Sequence, residues 1–228
     1  MAQVFENFIA TTNTTGSAVT FKECPAGKTL IFRGITAFND NANTATQKLH
    51  LLDKSESTTV TVVLADPDGY TINSKRAITW TTRIVLEEGD RLGFETDVDS
   101  QRISGNYVLL DSSSRTKYRH KTKKVETEDS FVSLVTAPAG HTLIIKNIVI
   151  ANISGTNATG TDNELRMVAD DNTYVPLSQG TLNNGDYASF STTWVLEPGD
   201  SIQARFTEEP WTYTVFYQEL PTPTIRGQ

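Results

Sequence analysis

The 228 residues carry 20 Lys and Arg against 27 Asp and Glu, a net charge of −7, with 37 % apolar and 21 % charged side chains. That length and composition suit one large globular domain or two small ones, and the acidic balance argues against nucleic acid as the main partner. With a single cysteine, Cys24, no internal disulfide or cysteine-based metal cluster can form, and no apolar run approaches the roughly 18 residues of a membrane span.

Residues 1–16, MAQVFENFIATTNTTG, read as a polar N-terminal arm with apolar footholds at Val4, Phe5, Phe8 and Ile9. The arm lacks the basic region and long apolar core of a secretory leader, which with the lone cysteine predicts folding in a cytoplasm. A segment of this kind buries little by itself, but its free backbone can complete a sheet edge, so the arm is expected to join a neighbouring subunit or partner. The sequons at Asn13, Asn152 and Asn157 read as polar turns.

From Ser17 the local pattern is β throughout, and no run of ten or more residues has helical periodicity with caps. PAGKTLIFRGI (25–35) is a Pro-Ala-Gly turn opening a strand that is apolar on both faces, hence central. KLHLL (48–52) puts Leu49 and Leu51 on one face and turns His50 away. ADPDG (65–69) carries a turn signal. VLEEGD (85–90) ends a strand in a turn that needs Gly89 at positive φ, and RLGFE (91–95) alternates again. Asp66 with Asp68, and Asp97 with Asp99, could serve a calcium site, but neither has the spacing of a full loop and turn chemistry accounts for them. Cys24 precedes the Pro-Ala-Gly turn as a small buried residue.

Residues 112–129 form a basic linker. SRTKYRHKTKK (114–124) holds Arg115, Lys117, Arg119, Lys121, Lys123 and Lys124, six of the 20 basic residues. If the run is a strand, its odd-numbered basic residues share a face. It reads either as a solvated tether or as an edge strand docking on an acidic neighbour, whose assembly would then weaken with salt.

Beyond the linker the first part returns. PAGHTLIIKNI (138–148) matches PAGKTLIFRGI at seven of eleven positions, VLEPGD (195–200) matches VLEEGD, and SFVSLVTAPAG (130–140) aligns without gaps on SAVTFKECPAG (17–27). The same phrases in the same order at nearly the same spacing indicate an internal duplication. The fold expected is all-β: two tandem antiparallel, jelly-roll-like β-sandwiches over 17–111 and 130–220, with a tail at 221–228. Within the second copy NNGD (183–186) marks a turn, SIQARF (201–206) and TYTVFYQ (212–218) alternate, and Trp211 with Tyr213 offer either core packing or a ledge for stacking on a sugar or partner.

No catalytic constellation is evident. Glu87 with Asp90, and Glu197 with Asp200, belong to the duplicated turns. His50, His120 and His141 lack a His or Cys at metal-ligand spacing, and there is no phosphate-cradling loop or nucleophile elbow. No enzyme activity, cofactor or metal is therefore expected.

PAGKTLIFRGITAFN with VLEEGDRL, and PAGHTLIIKNIVIAN with VLEPGDSI, resemble a pattern in small structural proteins of tailed bacteriophages. There a Pro-Ala-Gly turn opens an apolar strand, and a later VLEPGD-like hairpin leads to the last strands of a β-sandwich. The resemblance spans both copies and implies a non-enzymatic structural or adaptor role in a virion: tail, neck or fibre, or alternatively capsid decoration. It implies other virion proteins and copies of the chain as partners, synthesis in the host cytoplasm, and no small-molecule substrate or membrane. A carbohydrate- or receptor-binding module is the remaining alternative, resting on Trp211 and Tyr213.

Overall fold

The computed structural model describes residues 4–12, 15–54, 61–81, 83–113, 116–127, 129–156, 163–169, 174–191 and 193–222. Among these, eighteen strands and no helix form. In the first half one sheet runs β1 (Val4–Thr12), β9 (Gln101–Asp111), β3 (Lys28–Asn39), β6 (Ala77–Trp80), and β7 (Ile84–Leu86) continues the line of β6 along β3. The facing sheet runs β2 (Val19–Glu23), β8 (Arg91–Thr96), β4 (Ala45–Leu52), β5 (Thr61–Ile72).

The second half runs β10 (Lys117–Val125), β18 (Trp211–Pro221), β12 (His141–Asn152), β15 (Tyr187–Phe190), with β16 (Trp194–Leu196) continuing β15. Its facing sheet runs β11 (Val132–Thr136), β17 (Ser201–Arg205), β13 (Glu164–Val168), β14 (Tyr174–Gln179). Every pairing is antiparallel, and each strand of the first half has its counterpart nine strands later with the same neighbours. The connectivity is that of a jelly roll, with successive strands passing between two packed sheets.

Alternation along the strands builds a core in each sandwich. Leu30, Phe32, Ile35, Leu49, Leu51, Leu92, Phe94 and Tyr107 fill the first, and Leu143, Ile145, Ile148, Leu165, Ile202 and Val215 the second. Each such side chain contributes about 1.5–3 kcal/mol by leaving water. Trp211 and Tyr213 point inward from β18 and are 0 % and 1 % exposed, with Phe206 against Trp211 at 4.9 Å between ring centroids. Of the two readings the sequence left open, they take core packing, and they form no stacking ledge.

The duplicated phrases are corners. PAG carries the chain from β2 to β3, and E-x-G-D carries it from β7 to β8, in each case from one sheet to the other. Glu-x-Gly-Asp is therefore not the hairpin the sequence suggested. In each turn the amide three residues on closes the loop: Lys28 N donates to Pro25 O, Asp90 N to Glu87 O, His141 N to Pro138 O and Asp200 N to Glu197 O, at 3.0–3.2 Å. Gly27, Gly89, Gly140 and Gly199 all have positive φ, between 69° and 97°. The two corners also hold each other. Cys24 N donates to Asp90 O and Gly89 N to Cys24 O, both at 2.9 Å; Ala137 N donates to Asp200 O at 2.9 Å and Gly199 N to Ala137 O at 3.0 Å. This mutual bonding is why the phrases recur together. Cys24 is buried there, its thiol pushed up to about 12 chiefly by burial.

A second matched pair was not singled out in the sequence. Asn39 donates Nδ2 to Asn43 O and Ile72 O, and Asn152 donates Nδ2 to Thr156 O and Leu182 O, at 2.8–3.0 Å. Asn152 is 1 % exposed, in keeping with a turn-fixing role; Asn13 and Asn157 lie outside the described residues. The DPDG segment is not a turn between strands. It lies inside β5, where the register jumps from Gln47↔Tyr70 to Leu49↔Ala65, so it bulges out of the ladder.

The boundaries differ from those read in the sequence. The arm is β1, paired with β9 of its own sheet from Val4↔Leu109 to Thr12↔Gln101. The linker is largely β10, paired with β18 from Lys117↔Glu219 to Val125↔Trp211. Both are edge strands of the sandwiches they precede, so the arm completes its own chain's sheet, not a neighbour's. Phe8 anchors β1, stacked on Phe21 at 5.0 Å and edge-on to Phe32 at 6.0 Å.

Because the corners depend on positive φ, Gly89→Val and Gly199→Val are each expected to destabilise their own sandwich by more than about 1 kcal/mol. Urea unfolding of each variant against the parent measures this, and unchanged midpoints would remove the corner from the account.

Candidate functional site

Tyr118, His120 and Thr122 on β10, Thr214 and Phe216 on β18, and Asn147 and Val149 on β12 alternate with core residues and so project from the outer face of their sheet. In an isolated sandwich that face would meet water. Here His120, Thr122, Thr214, Phe216, Asn147 and Val149 are all buried, because the side of the first sandwich covers them. Strand β7 meets β10, and β5 meets β12, β15 and β18. Val149 and Phe216 join the apolar cluster of the first half, alongside Val85.

At the rim of this junction lies a buried ion cluster. His120 Nε2 is 3.3 Å from Asp53 Oδ2, and its Nδ1 is 3.6 Å from Asp90 Oδ2 and 4.0 Å from Glu87 Oε1. The side chains of His120, Asp53 and Asp90 are only 3–4 % exposed. Both ring nitrogens are buried, and these contacts are ion pairs when the ring is protonated. The backbone N of His120 donates to Glu87 Oε1 at 3.2 Å. Beside it Arg119 donates to Glu87 Oε2 at 2.8 Å and Glu219 Oε2 at 2.7 Å. The cluster lines a cleft of about 510 Å³ with Lys54 and Tyr217.

Burial by itself would disfavour the imidazolium of His120. Asp53, as the nearest partner, together with the charges of Asp90 and Glu87, outweighs it and raises the pKa above 6.5. Asp90 is also shifted up, by burial. Burial pushes the Tyr217 hydroxyl up to about 12, with the Glu87 charge adding to it.

Asp53, Asp90 and His120 bring three ligand-type atoms within 4.8 Å of one another. Asp53 approaches the Nε2 side of the ring and Asp90 the Nδ1 side. Asp90 already accepts Lys54 N at 3.0 Å and Glu87 N at 2.6 Å. When protonated, the imidazole supplies the positive charge between the carboxylates, and the arrangement is that of a clamp between two modules.

The basic run divides as its alternation implied. Lys117, Arg119, Lys121 and Lys123 share one face of β10, opposite the face that enters the junction. The acidic surface met by Arg119 belongs to the same chain. Lys117, Lys121 and Lys123 are exposed, and Arg115 lies outside the described residues. Of the apolar footholds, Phe8 is inward, while Val4, Phe5 and Ile9 are 45 %, 64 % and 80 % exposed. Asp97 and Asp99 are turn residues, accepting Thr46 N at 2.7 Å and Asn41 Nδ2 at 2.6 Å. The side chains of Asp66 and Asp68 lie outside the described residues. Asp53 and His120 were missed as a pair, because only the docking of the two halves brings them together.

No family model matches the chain, and no curated protein matches it in sequence. Solved structures do align. The STIV MCP aligns over 97 % of this chain and 97 % of its own, at 10 % identity and a TM-score of 0.43. The major capsid protein of bacteriophage PM2 aligns over 100 % of both chains, at 12 % identity and 0.35. A protein of the infectious bursal disease virus Gx strain aligns over 96 % of this chain and 72 % of its own, at 10 % identity and 0.29.

Removing the cation from a buried pair leaves its partners uncompensated, so His120→Ala is expected to destabilise the fold by about 3–5 kcal/mol. The pH dependence follows from the sign of the shift. A histidine pKa raised on folding stabilises fully below its unfolded value of about 6.5, and the contribution is lost as pH rises through the folded value. Asp90 has the same sign, but its contribution begins to be lost as pH rises above its unfolded value of about 3.9. Urea midpoints of the parent are expected to fall from pH 6 to pH 9, and those of His120→Gln to change less; equal slopes would refute the clamp.

Proposed function

We propose that this chain is a non-enzymatic structural or adaptor protein of a bacteriophage particle, acting by surface complementarity. The observation that carries the reading is the junction. Two like sandwiches are locked face to side through a buried ion clamp, giving a rigid two-module block suited to building and not to turnover. The sequence phrases that resemble a pattern of phage structural proteins occupy the paired corners of that block, which is where a building module needs its fold fixed. The carbohydrate-binding alternative loses its support, because Trp211 and Tyr213 are interior.

The reading is tested on purified particles of the phage that encodes the chain, by quantitative mass spectrometry and chemical cross-linking. The expected result is many copies per particle, cross-linked to each other or to virion proteins, and the cross-linked neighbours place it in tail, neck, fibre or capsid. Absence from purified particles would overturn the proposal. So would degradation of polysaccharide or peptidoglycan by the purified chain that is lost on mutating a single carboxylate.

A further inference from the structure

The two halves share one pairing scheme, so each residue of the junction has a counterpart elsewhere in the chain. The registers β1–β9–β3 and β10–β18–β12 match Phe5 with Tyr118, Asn7 with His120, Ile9 with Thr122, and Asn106 with Phe216. In the second half this face is covered by the first sandwich. In the first half nothing among the described residues covers it: Phe5 and Ile9 are 64 % and 80 % exposed, and Asn7 and Asn106 are exposed as well. A depression of about 580 Å³ lies there, lined by Phe5, Glu6, Asn7, Arg33, Asn106 and Tyr107. Glu6, Asn7 and Tyr107 are the counterparts of Arg119, His120 and Tyr217, which line the junction cleft. The depression is thus one wall of that cleft, without the other.

The missing wall exists at the far end of the chain. Val85 on β7, in the side that does the covering, is 1 % exposed; its counterpart on β16, Val195, is 52 % exposed, and Glu197 beside it is exposed too. An open face and an open side therefore remain on one chain, complementary by the example of its own junction. A face-to-side contact is heterologous, and it leaves one face and one side open however many modules are joined, unless the assembly closes into a ring.

We propose that the open face of the first sandwich, centred on Phe5 and Ile9, receives the open side of the second sandwich of another copy, centred on Val195. This rests on the structural-protein reading and names the partner as a second copy joined head to tail. The contact differs from the internal one in its polar part. Asn7 replaces His120, so no buried clamp forms between copies. Glu6 replaces Arg119, so the counterpart of the Arg119–Glu87 pair is Glu6 facing Glu197. Arg33, over the Phe5 ring, offsets part of this local repulsion, but each chain carries −7, and screening of that overall repulsion makes the contact strengthen as salt rises.

The test is sedimentation velocity on the full chain, at low and high salt (about 0.05 M and about 0.5 M), with Phe5→Lys and Val195→Asp. Both positions are exposed, so both variants are expected to melt like the parent. The parent is expected to associate with increasing concentration, more strongly at high salt. Each variant is expected to weaken that association about tenfold or more, the scale of losing a central apolar anchor. Mixing the two variants restores one intact contact, from the side of Phe5→Lys to the face of Val195→Asp, and the mixture is expected to associate more strongly than either variant alone. Association of the parent that neither variant disturbs would overturn this surface while leaving the structural-protein reading in place. A parent that stays at 25.1 kDa at every concentration and salt would overturn the self-contact itself; the particle measurement decides the structural reading separately.

Discussion

His120, held between Asp53 and Asp90, fixes how the two sandwiches sit on each other. The carboxylates come from the first half and the imidazole from the second, so neither half can complete the cluster alone. A buried charge without a partner is costly, whereas a completed cluster is tolerated and specifies geometry. The apolar contact of Phe216 and Val149 with the first core supplies attraction without direction. The ion cluster supplies the direction, since a small slide would separate His120 from one carboxylate or the other. The orientation of β10, the position of Arg119 between Glu87 and Glu219, and the cleft beside them all follow from that placement.

What could be read from the sequence was what one residue type does by local necessity. Gly89 and Gly199 announce a corner because few other residues tolerate that φ, and Leu49/Leu51 or Leu92/Phe94 announce a core face by period two. The edge strands were harder. β10 alternates, but its core-side positions are Lys117, Arg119, Lys121 and Lys123, whose stems lie along the rim of the sandwich while their charges reach water. That is ordinary for an edge strand and reads as a charged linker. In β1 the apolar residues fall on both faces, Phe8 inward and Phe5 and Ile9 outward, so no alternation marks it as part of a sheet. The junction was not legible, since Asp53, Asp90 and His120 are distant in sequence and each has an ordinary local reading.

Comparison of the halves shows where their chemistry diverges. The corners are kept nearly atom for atom, and Asn39 and Asn152 share three matching bonds, two donated by Nδ2 and one accepted by Oδ1 from the backbone two residues on. The outer face is not kept. Asn7 stands against His120 and Asn106 against Phe216, and at the rim, on the other face of the edge strand, Glu6 stands against Arg119. On the covering side, Val85 and Val195 are the same residue in opposite environments, one buried and one exposed. Fold-determining positions are thus matched, while the polar part of the face is tuned to its neighbour: clamp-forming where the partner is tethered, and clamp-free where no partner is attached.

That difference has a thermodynamic consequence. Within one chain the second sandwich meets the first at an effective concentration on the order of millimolar, set by the short connection between β9 and β10. The internal junction can therefore include a buried charge cluster, whose desolvation cost is offset by tethering and geometry. Between separate chains there is no tether, and the loss of translational and rotational freedom opposes association from the start. A contact built on Phe5, Ile9 and Val195 avoids desolvating ions, but Glu6 facing Glu197 keeps it weak. Weak contacts of fixed direction suit ordered assembly, because misplaced copies can leave and each correct neighbour adds to the hold on the last. A strong clamp inside the block and a weak one between blocks would let the module fold first and assemble second.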